Sequence, residues 1–196
     1  LQSLLRRTEF LIGRTVPRIA LSATLGEMEK AASALRPAKN LPCRILVSEG
    51  KGSELLLQVR GYRTPRAEKG ERPGLPGGLV QDVYRLLRGD SHLLFTNSRS
   101  RTEELAAALS ALCDRNFVPN EFFPHHGSLA PDLRRSLEER LQKKDLPTTA
   151  VCTSTLELGI DIGSVASIGQ VGEPGTVSGL RQRLGRSGRR GGPAVL

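Results

Sequence analysis

The chain has 196 residues, 29 Lys and Arg against 20 Asp and Glu, and a formal net charge of +9. That length admits one domain and part of another, and 23 of the 29 cations are Arg, whose planar fork suits phosphate and carboxylate, so the charge points to a polyanionic partner. No run of 18 apolar residues could span a membrane, no charged-then-apolar leader opens the chain, and 38% hydrophobic content excludes wholesale disorder.

Short apolar runs alternate with helical patterns, the signature of a mostly parallel sheet flanked by helices. Arg18 to Ser22 reads as a buried strand. Thr24 and Glu27 then form a capping box for a helix carrying Met28, Ala31, Ala32 and Leu35, which Pro37 ends. Arg44 to Ser48 and Leu55 to Val59 are further strands. Residues 60–78 form a charged, Gly- and Pro-rich surface loop with no core of its own. Leu79 to Leu87 is helical and His92 to Thr96 a strand. Ser100 and Glu103 form a second capping box, ahead of Leu105, Leu109 and Leu112. Phe122 to His126 is extended, Leu133, Leu137 and Leu141 mark a helix, and Thr148 to Thr153 and Val165 to Val171 are strands. Val177, Leu180 and Leu184 give a last helix, and Pro193 to Leu196 starts a strand. Residues 1–47 are expected to be the end of one domain and 48–196 a second one. The chain opens at Leu1, its sole methionine is Met28, and it stops within a strand pattern, so a longer polypeptide is expected. Cys43, Cys113 and Cys152, odd in number and far apart, read as reduced, buried thiols of a cytoplasmic protein.

Three segments carry chemistry. In Gln182-Arg183-Leu184-Gly185-Arg186-Ser187-Gly188-Arg189-Arg190, Arg186 and Arg189 are three apart, hence on one face of a helix. Two such forks can hold several phosphoryl oxygens, and Gly185 and Gly188 leave the approach open. Residues 181–196 hold five Arg and no acid; taken alone, a solvated basic helix end or a nucleic-acid patch without catalysis is the lesser reading of them. Thr153 to Gly163 (TSTLELGIDIG) follows a buried strand, where ligands of parallel sheets gather. Its hydroxyls and amides suit phosphate and Asp161 suits a ribose hydroxyl, though an ordinary capped turn reads the same way. Ser22-Ala23-Thr24 stands at a strand end and could be only a cap. His125 and His126, adjacent on a strand, point to opposite faces and lack a ligand-spaced partner, which argues against a metal.

Together and in this order, Ser22 to Thr24 (SAT), Leu93 to Leu105 (LLFTNSRSRTEEL), His125 to Leu129 (HHGSL), Thr153 to Gly163 and Gln182 to Arg190 (QRLGRSGRR) resemble helicase motifs III, IV, IVa, V and VI of superfamily 2. The detailed resemblance is to the large helicase-related (Lhr-type) branch. It implies the second RecA-like domain of an ATP-dependent helicase, of the P-loop NTPase type, preceded by the tail of the first. It also implies that Arg186 and Arg189 reach the γ-phosphate of ATP, with Gly159, Asp161 and Gln182 around the nucleotide. Ser98, Gly127 and Thr153 would meet the backbone of a bound DNA or RNA strand, and Ser22, Ala23 and Thr24 would couple hydrolysis to domain movement. No G-x-x-x-x-G-K-[ST] loop and no Asp-Glu dipeptide occurs, so the phosphate cradle and Mg2+ are expected on the first domain, and this chain alone is expected not to hydrolyse ATP. Two other readings share the residues: a non-catalytic basic nucleic-acid-binding module, and a duplex translocase that does not unwind.

Overall fold

The structure, a computed structural model, describes residues 1–22, 27–36, 42–47, 54–64, 73–157, 162–187 and 194–196. The chain divides into two compact units, residues 1–51 and 52–196.

In the first unit, α1 (Gln2–Ile12) ends on Gly13 in the left-handed region (φ 67°), and α2 spans Met28–Leu35. Neither helix contains a buried residue. Polar contacts on Glu9 link the segments instead: its carboxylate accepts the Val16 amide (3.0 Å) and pairs with Arg18 (3.0 Å) and Arg36 (3.3 Å). The Val16 amide leads in holding the Glu9 carboxyl below its ordinary range, ahead of the two arginines. The strand expected at 18–22 is not formed, and Ile19 and Leu21 are 86% and 93% exposed. A fully buried strand needs ladder partners on both sides, and no strand is present among the described residues of this unit. Residues 42–47 likewise form no strand, and Thr24 of the expected capping box lies outside the described residues.

The second unit holds β1 (Leu55–Leu56), α3 (Gly77–Leu86), β2 (His92–Phe95), α4 (Arg99–Arg115), β3 (Phe122–His125), α5 (Pro131–Lys143), β4 (Thr149–Cys152), β5 (Ser167–Gln170), α6 (Val177–Leu184) and β6 (Ala194–Val195). Four strands form one sheet in the order β3-β4-β2-β5, every pair parallel. The register sets Phe95 opposite both Cys152 and Gln170, and His125 opposite Cys152. All four carboxyl ends therefore stop at one edge. β1 and β6 form a separate parallel pair, Leu55 opposite Ala194.

Side chains alternate across the sheet as the pleat requires. Leu94 and Val151 point to one side, into a core with Leu79, Val83, Leu105, Leu109 and Phe122. Leu93, Phe95, Ala150 and Cys152 point to the other, with Leu137, Leu141, Leu156 and Ile168. Helices α3 and α4 thus supply one covering layer and α5 the other, and both faces of β2 and β4 are buried. Gly169 of β5 lets Leu94 approach, since a Cβ there would stand 2.7 Å from its Cδ1.

Two expectations shift. α4 is capped by Ser98, whose side chain accepts the Arg101 amide (3.2 Å), and not by Ser100. β2 ends at Phe95, which leaves Ser98 as the last extended residue before the helix. The described ends of the 60–78 loop are anchored to the core: Asp82 of α3 accepts Arg60 (2.7 Å) and Tyr62 (2.9 Å), and Tyr62 and Leu75 pack against the apolar cluster. Of the cysteines, Cys113 and Cys152 are buried and Cys43 is half-buried.

Candidate nucleotide and nucleic-acid site

The parallel register carries four loops to one edge of the sheet. Ser98 follows β2, Gly127 follows β3, Thr153 follows β4 and Gly172 follows β5. This carboxyl edge is where open α/β sheets bind ligands. Ser98 and Gly127 are exposed and Thr153 is half-buried. A side chain at Gly127 would meet nothing within 4 Å, so its backbone is open to approach.

Histidines hold this loop row from below. His125 Nδ1 bonds Thr155 Oγ1 (2.9 Å) and its Nε2 bonds Glu138 of α5 (2.9 Å). The Thr153 amide donates to the His125 carbonyl (3.3 Å), tying the loops after β3 and β4 together. His126 Nε2 bonds Glu103 of α4 (2.9 Å). Glu103, expected in a capping box, thus serves His126. The Nδ1 of His126, beside exposed Gly127, is buried without a hydrogen-bond partner, a polar atom left over where a ligand would arrive. After β5, Gly172 has φ 84° and a Cβ there would lie 2.9 Å from Asn97 Nδ2. Only glycine suits both the left-handed backbone and that approach; Asn97 in turn donates to the Glu173 carbonyl (2.9 Å).

The arginine segment departs from the helical reading. α6 ends at Leu184, Gly185 is its cap, and Arg186 sits in the following turn, where Ser187 bridges Val165. A single helical face therefore does not carry Arg186. At Gly185 a Cβ would make only ordinary contacts with the helix's own carbonyls, 3.5 Å and beyond, so this glycine ends the helix and does not open an approach. Arg186 is 7% exposed, and its Nε (3.2 Å) and Nη2 (2.7 Å) donate to the Glu157 carbonyl. Gln182 is half-buried on α6. Arg189, Asp161, Gly159, Ala23 and Thr24 lie outside the described residues, and Ser22 is exposed in the first unit.

Arg183 and Glu157 are not among the site residues expected from the sequence. Arg183, 8% exposed, donates Nε (2.7 Å) and Nη2 to the Glu157 carboxylate and Nη1 to Gln170 Oε1, and its guanidinium stacks 4.7 Å from the Phe95 ring centroid. One guanidinium is thus bracketed by the carboxyl ends of β4, β5 and β2. A signal existed: Glu157 is a lone acid between Leu156 and Leu158, and a carboxylate in an apolar run demands a partner. Cys152 lies beneath this pair, and burial pushes its thiol far above the ordinary range.

Guanidinium groups, hydroxyls and backbone amides at strand carboxyl ends fit phosphate as a class. Among the described residues no three His, Cys, Asp or Glu side chains come together as metal ligands. No helix among them is long and apolar enough to cross a membrane.

Residues 78–191 match the helicase conserved C-terminal domain family. The ATP-dependent helicase Lhr-Core of Methanocaldococcus jannaschii is 40% identical over 182 residues, covering 88% of this chain and 20% of the relative. That of Methanothermobacter thermautotrophicus is 31% identical over 199 residues, covering 95% and 22%. The solved Mycobacterium smegmatis helicase Lhr bound to ssDNA and AMP-PNP superposes with a TM-score of 0.79 at 29% identity, over 97% of this chain and 25% of that one. The chain spans about a fifth of the length of these curated relatives. By the residues it matches and by its RecA-like parallel sheet, the chain belongs to the helicase conserved C-terminal domain family, and it is similar in sequence and fold to the Lhr-type helicases.

Proposed function

We propose that residues 48–196 are the second motor domain of an ATP-dependent nucleic-acid helicase, and residues 1–47 the end of the first. In this reading the row of Ser98, Gly127 and half-buried Thr153 grips the phosphates of a single strand. Arg186 and Arg189 face the γ-phosphate of ATP held on a first RecA-like domain, with Gly159, Asp161 and Gln182 around the nucleotide. Ser22, Ala23 and Thr24 link hydrolysis to movement of the two domains. When bound, ATP supplies the phosphoryl group whose developing charge the arginines stabilise.

The observation that carries this reading is the parallel register, which brings Ser98, Gly127 and Thr153 to one sheet edge with Arg186 tied four residues beyond Thr153. Support comes also from the net charge of +9. Phosphate contacts of this kind carry no sequence preference and weaken steeply with salt. The test is Arg186→Ala in the full motor chain. ATP turnover at saturating single strand is expected to collapse, with oligonucleotide affinity held within about threefold, less than the effect of losing one phosphate contact between low and high salt. Unchanged turnover would remove Arg186 from the nucleotide, and a chain that binds strands but never turns over ATP would be the non-catalytic module.

A further inference from the structure

Glu157 makes two unlike contacts. Its carboxylate accepts Arg183 through Nε (2.7 Å) and Nη2, and its backbone carbonyl accepts Arg186 through Nε (3.2 Å) and Nη2 (2.7 Å). The same residue closes the single 3-10 turn, Ser154–Leu156, that begins at Thr153. At its start the turn is fastened to β3, by the Thr153 amide on the His125 carbonyl and by Thr155 Oγ1 on the His125 ring. One short piece of backbone therefore runs from Thr153 at the sheet's carboxyl edge to the acceptor of both arginines. Arg183 cannot take up slack, since Gln170 Oε1 and the Phe95 ring hold its other sides.

We infer that Glu157 is a positioning residue that couples strand binding at Thr153 to the placement of Arg186 toward ATP, acting through Arg183 as a fixed pivot. The inference rests on the motor reading above. Engagement of a phosphate at Thr153 shifts the 3-10 turn, and because Glu157 holds α6 by the Arg183 pair and the Arg186 turn by its carbonyl, both move as one body. Without the carboxylate, Arg183 loses its charged partner and the turn slides past α6. Strand binding then no longer sets the Arg186 guanidinium. Coupling of two sites requires such an element with two arrangements that both ligands bias.

The test is the ratio of ATP turnover with and without saturating oligothymidylate, measured on the full motor chain. In Glu157→Gln, which keeps the side-chain size and one acceptor oxygen, the ratio is expected to fall about tenfold, within the range by which mutations along coupling networks act. A folding defect lowers both rates together and leaves the ratio unchanged. A second variant separates the two effects further. Replacing the pair by apolar groups, Glu157→Leu with Arg183→Met, removes the unpaired buried charge and is expected to restore the melting temperature, yet the ratio stays low. Glu157→Asp keeps the charge and is expected to recover part of the ratio. An unchanged ratio in Glu157→Gln, beside a collapsed turnover in Arg186→Ala, would overturn the coupling role and leave the motor reading standing. Unchanged turnover in Arg186→Ala would overturn both.

Discussion

Two stretches of the sheet's carboxyl edge are built on opposite plans. The loops after β2 and β3 expose small groups, the Ser98 cap and the bare backbone of Gly127, over ring hydrogen bonds of His125 and His126 to Glu138 and Glu103. The end of α6 and the turn after it instead bury their cations: Arg183 and Arg186 are 8% and 7% exposed and converge on Glu157. In the proposed motor, the difference follows from what each would recognise. A strand sliding along its track needs shallow, repeated and sequence-blind contacts. A group that meets charge only as it develops must be held in place beforehand, in a site of low dielectric.

The largest effect expected from that contrast belongs to the buried side. Arg186→Ala should lower ATP turnover of the motor by roughly 10³- to 10⁵-fold, the range seen for arginine fingers, whereas Thr153→Ala should act mainly on strand affinity and its salt slope. Comparable losses of both kinds from both variants would erase the distinction between the two stretches.

Arg183 should behave as architecture. Arg183→Ala leaves the half-buried Glu157 carboxylate with its charged partner gone, and removal of one member of a buried pair costs up to about 3–5 kcal/mol, so a loss of about 2 kcal/mol or more is expected by urea denaturation of the chain. A loss below about 1 kcal/mol, the value of an exposed pair, would place Arg183 with the surface cations.

A smaller effect is expected on the exposed side. Ser98→Ala removes the α4 cap and should cost about 1 kcal/mol, recovered for the most part by Ser98→Asp. The Asp variant returns the cap but sets a negative charge beside the strand track, so it should also weaken oligonucleotide binding. Equal binding by the Asp and Ala variants would separate Ser98 from the strand.

The opposite, amino edge of the sheet supplies the mildest test. His92 is buried there with Nδ1 2.8 Å from Ser167 Oγ, and burial, opposed by Asp90 and Glu121, holds its imidazole below the ordinary value of 6.5. The unfolded chain therefore takes up this proton first as pH falls. The contribution of neutral His92 is present above about pH 6.5 and is lost below it. Melting temperatures at pH 7.5 and 5.5 should diverge less in His92→Gln than in the parent chain, with the carboxyl-edge contacts unaffected.

Much of this architecture was legible in the sequence wherever a pattern had to satisfy both local structure and burial. Leu93 to Phe95 and Ala150 to Cys152 are unbroken apolar runs, and only strands buried on both faces tolerate them. Those two strands then bring Ser98 and Thr153 to one edge without further information. Where one level of structure stood alone, the reading slipped. The Ile19 and Leu21 run looks like a strand locally, yet no ladder forms around it among the described residues. Ser98 and Ser100 both start plausible caps, and the choice depended on where β2 stops. The spacing of Arg186 and Arg189 implied a shared helical face, but the helix ends at Leu184. Glu157 and Arg183 meet only in space, across 26 residues, so no local pattern pairs them.

The central claim is that this chain holds the strand track and the arginines of a motor whose phosphate cradle lies elsewhere. It is tested most directly by ATP turnover of the 196-residue chain at saturating oligothymidylate, beside the same chain joined to a first RecA-like domain that carries a phosphate loop. The expected result is background hydrolysis by the chain alone and strand-stimulated hydrolysis by the joined form. Strand-stimulated turnover by the 196-residue chain on its own would contradict it.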